Sequence, residues 1–231
     1  MAFSTPSVVD APIVLERSRL GQVYGLLALA MGLTVVGVFL GATVVLPLMA
    51  SGFFLVLLIA ELAIVFTSRM WVQSYPLNYL LFAAFPLLSG LTLTPILMSI
   101  LSGYVNGGTI VVNAAIATTL LTVGMAVFAS TTSVNLGFVG RFILSALIGL
   151  IAFGILQIIF PSLRGRDVEM LFSAVGVVLF ALFIAYDIQR VQALARTEVS
   201  PFILALTLYL DIYNLFIFIL RFVVATSGRR R

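Results

Sequence analysis

The stretch ALTLYLDIYNLFIFILRF (residues 205–222) places an aspartate, Asp211, inside a run that is otherwise apolar enough to lie in lipid. A charged carboxylate in the hydrocarbon of a bilayer is costly, and ionisable residues in such segments face the protein interior and mark functional sites. Asn214 follows one helical turn later, so its side chain can hydrogen-bond to the residues around Asp211. The stretch therefore predicts a membrane-spanning helix that contains a candidate functional residue.

The composition of the whole chain extends this prediction to the fold class. Of its 231 residues, 62% are hydrophobic and 9% are charged, and a water-soluble domain of this size cannot bury so much apolar surface. Seven apolar segments reach the roughly 20 residues that a spanning helix needs. They are residues 20–44, 47–68, 77–101, 109–132, 138–160, 169–193 and 201–225. The sequence predicts an all-α polytopic membrane protein with seven transmembrane helices.

The linkers between the segments are short and leave no room for a second folded domain. We expect a cytoplasmic N-terminal segment (1–19), a single seven-helix transmembrane domain (20–225) and a basic tail (226–231). The N-terminal residues lack the apolar core and cleavage site of a signal peptide, so the first helix is expected to direct insertion. The net charge of +4 indicates no nucleic-acid partner, because arginines in membrane proteins mainly set the topology.

The topology depends on how the last segment is interpreted. With the N-terminus inside and seven crossings, six arginines lie on the inner side and five on the outer side. If the last segment re-enters the membrane, the ratio becomes nine to two, which the positive-inside rule favours. The last segment has the length of a full span, and we therefore expect seven crossings.

The residue types that are absent exclude several function classes. The chain has no cysteine, histidine or lysine. Disulfides, thiol chemistry, histidine-based zinc or haem sites and a histidine-dependent serine protease are excluded. A retinal Schiff base is also excluded, because it requires a lysine. We expect no cofactor, and any pH response must come from carboxylates.

Three acidic residues lie within the apolar segments: Glu61, Asp187 and Asp211. The midpoint between the two aspartates is residue 199, in the linker between the last two segments, so an antiparallel hairpin would place both at similar depth. Two neighbouring carboxylates cannot both ionise without a large cost, and such a pair shares one proton. The alternative for Asp187 is a cap or an interfacial position, since Gln189 and Arg190 follow it.

A family resemblance rests on three stretches: IAYDIQR (184–190), the stretch quoted first, and FPLLSGLTLTPIL (85–97). Together they resemble the Bax inhibitor family, also called TMBIM. The resemblance implies a fold with the last helix central among the other six. It also implies a pH-sensitive calcium leak that is controlled by Asp187 and Asp211.

The resemblance also suggests supporting residues. Glu61 matches an acidic residue in the second helix of the family. Arg69 is the candidate for a basic residue that contacts the aspartate pair in some members. The alternative for Arg69, and our interpretation of Arg141 and Arg221, is a side chain that extends to the membrane interface.

A calcium path needs oxygen ligands, which carboxylates, carbonyls and hydroxyls supply. Asp187 and Asp211 are candidates for a transient calcium contact. Ser89, Thr92 and Thr94 are candidates for lining the path, since Pro86 and Pro95 in the same segment each free a backbone carbonyl. The alternative is a plain kinked helix whose small residues pack closely.

The leak is the function that the sequence favours, with the lipid bilayer, calcium ions and protons as partners and protein partners unknown. An intramembrane aspartyl protease is one alternative, because it also uses a proton-sharing aspartate pair. Against it, Tyr209 and Leu210 occupy the place before Asp211 where such proteases have a glycine. A membrane-embedded modulator of a protease or of a cell-death partner is another. The short loops suggest a bacterial cytoplasmic membrane.

Overall fold

The computed structural model describes residues 10–45, 52–194, 197 and 199–227, and only the backbone of residues 10–18, 44 and 45. In this part of the chain the regular structure is helical. The α-helices are α1 (Asp10–Leu40), α2 (Phe53–Phe66), α3 (Ser68–Trp71), α4 (Leu77–Gly103), α5 (Gly107–Thr131), α6 (Val139–Ile159), α7 (Arg166–Leu194) and α8 (Pro201–Thr226). A π-helical turn (Gly41–Val45) follows α1, and short 3₁₀ turns (Leu136–Phe138 and Pro161–Arg164) precede α6 and α7.

Six helical stretches of the described residues are long and apolar enough to cross a membrane. Four of them are α4, α5, α7 and α8. The other two are Arg19–Thr43, which contains most of α1, and Leu136–Ile159, which contains all of α6. The all-α polytopic prediction is thus confirmed. The second predicted span contains α2, which has 14 residues and extends about 21 Å, short of the roughly 30 Å of hydrocarbon. Residues 46–51, which begin that predicted span, lie outside the described residues. The structure therefore has six long candidate spans and a shorter apolar helix.

Helix α1 begins earlier than its apolar segment. The helix starts at Asp10, whereas the part with the hydropathy of a membrane span begins at Arg19, close to the predicted start at residue 20. Hydropathy detects only the part of a helix suited to lipid, so the preceding helical turns were not predicted. Residues 1–9 of the predicted N-terminal segment and 228–231 of the basic tail lie outside the described residues.

The helices differ in how much of their apolar surface is buried. In the most apolar part of α8, 56% of the residues are buried, against 44% in α4 and α7 and 17% in α1, α5 and α6. The poorly buried helices expose large hydrophobic side chains such as Val35, Leu120 and Ile148. Such exposed apolar faces are suited to lipid contact. α8 is the most enclosed of these helices.

The chain forms two compact units. The first contains the described residues up to Thr92 and residues of the range Arg190–Thr207. Within it, α1 and α4 cross in backbone contact at Gly37 and Gly90, where a Cβ on either glycine would meet the backbone of the other helix. Small residues permit such close approach in membrane helices. α4 is continuous through Pro86 and Pro95, so these prolines do not end the helix.

The start of α8 also packs within the first unit. The Ser200 hydroxyl donates to the Val72 carbonyl at 3.0 Å. The ring of Phe202 lies edge-on to those of Tyr79 and Phe82, with centroids 4.8 and 5.5 Å apart. These contacts hold the amino-terminal end of α8 against α4.

The second unit contains Leu93–Gln189 and the residues from Leu208 onward. Its core includes an aromatic cluster from α7 and α8, in which the Phe218 ring lies 5.5 Å from both Phe172 and Phe180. A Cβ on Gly176 would overlap the Phe218 ring, so glycine is required for this approach of the two helices. This packing fixes α7 against α8 in the unit that contains both predicted aspartates.

Candidate functional site

The predicted aspartate pair lies in the second unit, with one member on each of two packed helices. Asp187 is on α7, seven residues before its end at Leu194, and Asp211 is on α8, ten residues after its start at Pro201. The two positions lie about 10 and 15 Å from the helix ends that the connecting segment joins. The counting that predicted similar depths is therefore compatible with the observed helix boundaries.

Both aspartates are almost completely enclosed. Asp187 is 5% exposed and Asp211 is 7% exposed, although aspartate is among the residues that are least often buried. Their helix neighbours are apolar and buried as well, including Ile184, Ile188 and Leu215. Such burial does not fit a helix cap or an interfacial side chain, which was the alternative for Asp187.

Gln189 fixes the part of α7 that carries Asp187. Its side-chain amide donates to the carbonyls of Ala129 and Val134 at 3.3 and 3.0 Å, and its Oε1 accepts from the Leu136 amide at 2.9 Å. One side chain therefore satisfies three backbone groups, one in the last turn of α5 and two in the connection to α6. The sequence analysis interpreted Gln189 only as a sign of a nearby interface, whereas the structure shows a structural anchor.

In the first unit, Glu61 of α2 meets Thr92 of α4. The Thr92 hydroxyl donates to Glu61 Oε1 at 2.7 Å, and it also lies 3.2 Å from the Ser89 carbonyl. Thr92 and Ser89 are buried, and Glu61 is half-buried. The structure thus brings together three of the predicted site residues. A hydroxyl donor to a carboxylate provides a strong link between the two helices.

The remaining predicted residues are Thr94, Asn214 and Arg69. Thr94 is fully buried and lies two residues after Thr92 on the continuous helix α4. The Asn214 amide donates to the Leu210 carbonyl at 2.8 Å, a bond within its own helix. Arg69 is exposed at the end of α3, as expected for a side chain that extends to an interface. These positions leave the predicted roles of Thr94, Asn214 and Arg69 as predictions.

A charged cluster that the sequence analysis missed lies at the other end of α7. Arg221 of α8 forms a bidentate ion pair with Glu169, with Nε–Oε1 and Nη2–Oε2 distances of 2.6 and 3.0 Å. Arg221 Nη2 also lies 3.4 Å from Oε1 of the buried Gln157. The sequence predicted only that Arg221 extends to the membrane interface, and its pairing with a carboxylate on a neighbouring helix was not predicted.

Aromatic rings complete the environment of Arg221. Its guanidinium carbon lies 4.9 Å from the Phe172 ring centroid and 5.7 Å from that of Phe218, within the range of cation–π attraction. The sequence offered only one indication of this pair, namely an acid, Glu169, and a base, Arg221, at the edges of the last two apolar segments. Since 52 residues separate them, sequence spacing could not pair them.

The described residues contain no group of three or more aspartates, glutamates, histidines or cysteines that could hold a metal ion. A stable calcium site normally has six to eight oxygen ligands, several of them carboxylates. The predicted transient calcium contact of Asp187 and Asp211 stays a prediction.

Comparison with known proteins identifies the family. Residues 16–229 match the family model described as "Inhibitor of apoptosis-promoting Bax1", so the match spans the described helices from α1 to α8. The chain belongs to the Bax inhibitor family. Membership in the Bax inhibitor family confirms the resemblance found in the sequence, and it agrees with a multi-pass integral membrane protein.

Individual relatives extend from bacteria to a plant. The chain is 31% identical to an uncharacterized protein of Campylobacter jejuni, over 90% of this chain and 88% of the relative. It is 28% identical to an uncharacterized protein of Borreliella burgdorferi, over 95% of both chains. Protein LIFEGUARD 4 of Arabidopsis thaliana is 30% identical over 72% of this chain and 65% of its own length.

Proposed function

We propose that this Bax inhibitor family protein is a passive, pH-sensitive calcium leak of the membrane and not an enzyme. The observation that carries the proposal is the burial of Asp187 and Asp211 on two packed helices of one unit. Ionisable residues at such positions in membrane helices mark ion paths and proton relays. Calcium and protons would be the ions that reach them.

The proposed gate is the shared proton of the aspartate pair. With one proton, a carboxyl group can hydrogen-bond to its neighbour across α7 and α8; without it, two negative charges repel each other or attract a cation. The two states favour different helix packing, which is the requirement for a proton-driven switch. As the moving element we propose α2, which a hydrogen bond from Thr92 to Glu61 joins to α4.

We further propose seven crossings in a single transmembrane domain (20–225), with α8 central. The support for a central α8 is its burial, the highest among the candidate spans at 56%. α8 is one continuous helix over Pro201–Thr226, which supports a full crossing and not a re-entrant segment. The α2 region is the crossing that needs a test, because its described helix is short. Relatives in Campylobacter jejuni and Borreliella burgdorferi support a bacterial cytoplasmic membrane.

Calcium flux into liposomes tests the leak. Purified protein is reconstituted into vesicles that contain a calcium dye, and influx is recorded between about pH 5 and pH 8. One titrating proton can change the flux by at most about tenfold per pH unit. We expect a pH-dependent flux in the unaltered protein and a flux that varies less than about twofold across this range in Asp187→Asn and Asp211→Asn.

The matched control is Asp167→Asn, the same chemical change at an exposed position in the first turn of α7. It should keep the pH dependence of the unaltered protein. No flux above empty vesicles at any pH would disprove the leak. Cleavage of a transmembrane peptide that both aspartate variants abolish would instead assign the pair to aspartyl proteolysis.

Single cysteines test the number of crossings, since the chain has none of its own. Ser4→Cys and Ser227→Cys are labelled in intact cells with a maleimide that does not cross the membrane. Seven crossings place the two sites on opposite sides, so only one of them should react. Equal accessibility of both sites would indicate an even number of crossings.

A second candidate function is modulation of another membrane protein. The description of the matching family, "Inhibitor of apoptosis-promoting Bax1", names action on a protein. We propose this role only if the flux assay shows no leak. A cross-linked partner that is retained by Asp167→Asn and lost in Asp211→Asn would then support it.

A further inference from the structure

A large open cavity lies in the second unit, away from the aspartate pair. Its volume is about 980 Å³. Charged side chains from the start of α7 and the end of α8 lie on one part of its wall, and apolar side chains from α4 and α8 on another. The charged residues are Arg164, Arg166, Glu169 and Arg221, and the apolar residues include Ile96, Ile100, Ile217, Leu220 and Val224.

The cavity has an excess of positive charge. Its wall contains three arginines and one glutamate, and Glu169 is already paired with Arg221. Among the described residues, Arg164 and Arg166 form no ion pair with a carboxylate. Two guanidinium charges therefore remain for a negatively charged ligand, and guanidinium groups bind phosphate through paired hydrogen bonds.

Both of these arginines are held in place by helix ends. Arg164 donates to the carbonyls of Gln157 and Ile158 at 2.6 and 3.0 Å, at the end of α6. Arg166 donates to the carbonyls of Ala225 and Thr226 at 2.8 and 3.3 Å, at the end of α8. These carbonyls satisfy two donors of each guanidinium and fix its position, but they carry only partial charges. The two guanidinium groups are therefore held in position, and their positive charges are not neutralised.

The position and the apolar wall point to the kind of ligand. Arg166 begins one candidate membrane span, and Thr226 ends another, so the cavity lies at the end of two spans, where lipid headgroups are found. Isoleucine, leucine and valine side chains offer no favourable contact to a free inorganic ion, whereas they suit acyl chains. The sequence after Ser227, a lining residue, continues with glycine and three arginines, which adds positive charge next to the site in sequence.

We propose that this cavity binds the phosphate group of an anionic phospholipid. Arg164 and Arg166 contact the phosphate, the pair of Arg221 with Glu169 closes one side of the site, and the acyl chains lie along α4 and α8. The site is independent of the aspartate pair and of the proposed calcium leak. Its occupation would stabilise the ends of α6 and α8 together with the start of α7.

Lipid binding to the purified protein in detergent tests this proposal. The probes are short-chain phosphatidylglycerol, phosphatidylcholine with the same chains, and inorganic phosphate, and binding is followed by the rise in thermal unfolding temperature with probe concentration. We expect phosphatidylglycerol to bind about tenfold more tightly than phosphatidylcholine, because both lipids contain the phosphate but the arginines repel the choline cation of phosphatidylcholine. The combined Arg164→Gln and Arg166→Gln variant should reduce this preference to less than about twofold.

Two further variants keep the test decisive. Val224→Trp narrows the cavity without removing a charge, and it should weaken phosphatidylglycerol binding even if the arginine variant fails to fold. Arg141→Gln removes an exposed arginine outside the cavity and should retain the full preference. Equal binding of both lipids, a preference that persists in the arginine variant, or unchanged phosphatidylglycerol binding in Val224→Trp overturns the proposal. Saturation by inorganic phosphate at the concentration at which the lipid binds would show a free-anion site and also overturn it.

Discussion

The two ends of α7 accommodate acidic side chains in different ways. Near its start, Glu169 is 26% exposed and receives two charge-assisted hydrogen bonds from Arg221. Near its end, Asp187 is 5% exposed and shares its unit with a second buried acid, Asp211 of α8. At the start of α7, the contact with α8 is made by the permanently charged Arg221. Near the end of α7, as we propose, it is made by a proton that Asp187 shares with Asp211.

The difference is between a charged pair that stabilises the fold and a pair of acids that, as we propose, acts as a switch. The counter-charge of Glu169 is a guanidinium group, which stays charged over the physiological pH range. A pair of buried acids that shares a proton, as we propose for Asp187 and Asp211, changes its charge when that proton is gained or lost. A fixed pair suits stability, whereas an exchangeable one suits a switch. Four variants test this comparison.

The largest expected effect on stability is at the fixed pair. Arg221→Met leaves Glu169 half-buried without its cation and removes the contacts with two phenylalanine rings. The pair is partly exposed, so we expect a loss of about 1–2 kcal/mol, between the values for surface and buried ion pairs. Unfolding by a denaturing detergent measures it. In a double-mutant cycle with Glu169→Gln, a coupling energy near zero would contradict the assigned pair.

A smaller effect is expected at Thr92, where the partner of the acid is neutral. Thr92→Val keeps the shape of the side chain but removes the hydrogen bond to Glu61. The expected loss is about 1 kcal/mol, since a partly buried carboxylate loses one donor. Thr119→Val is the control, because the Thr119 hydroxyl is exposed and bonds only within its own helix. Equal losses in both variants would show that the link between α2 and α4 contributes nothing.

At the proposed proton-sharing pair, an acid-to-amide change should lower the stability less than it does at Glu169, or raise it. Asp211→Asn replaces a buried acid by a neutral amide of the same shape, so the stability at neutral pH should stay within about 0.5 kcal/mol or rise. Glu169→Gln, also an acid-to-amide change, should lose about 1 kcal/mol because Arg221 loses its counter-charge. A large loss in Asp211→Asn would show that the ionised form of Asp211 is a structural partner like Glu169, and the comparison would fail.

The smallest effect is expected at Arg69. Its side chain is exposed, and surface substitutions usually change stability by less than about 0.5 kcal/mol. Arg69→Gln should leave both the unfolding curve and the pH profile of the calcium flux unchanged. A shifted pH profile with unchanged stability would support the role that the family resemblance suggests, in which Arg69 contacts the aspartate pair.

Several local features could be predicted because they follow from composition and length. Apolar runs of spanning length identified the long helices, and the cost of acids in lipid singled out Glu61, Asp187 and Asp211. The boundaries were less exact, because α1 continues as a helix into polar residues to Asp10. The second span was predicted as one segment, whereas a turn at Thr67 separates α2 from α3. Local turns of this kind carry no signal in a hydropathy window.

By itself, the sequence determined that the chain is a helical membrane protein of the Bax inhibitor type, which acids lie in its apolar segments, and which cofactors its composition excludes. These properties depend on residue type and on spacing along the chain. Only the tertiary structure decided that Thr92 meets Glu61, that Gln189 anchors α7, and that Arg221 pairs with Glu169 beside a basic cavity. Each of these contacts joins residues that are more than 30 positions apart. Helix periodicity constrains neighbours three or four residues apart, and it contains no information about which helix faces which.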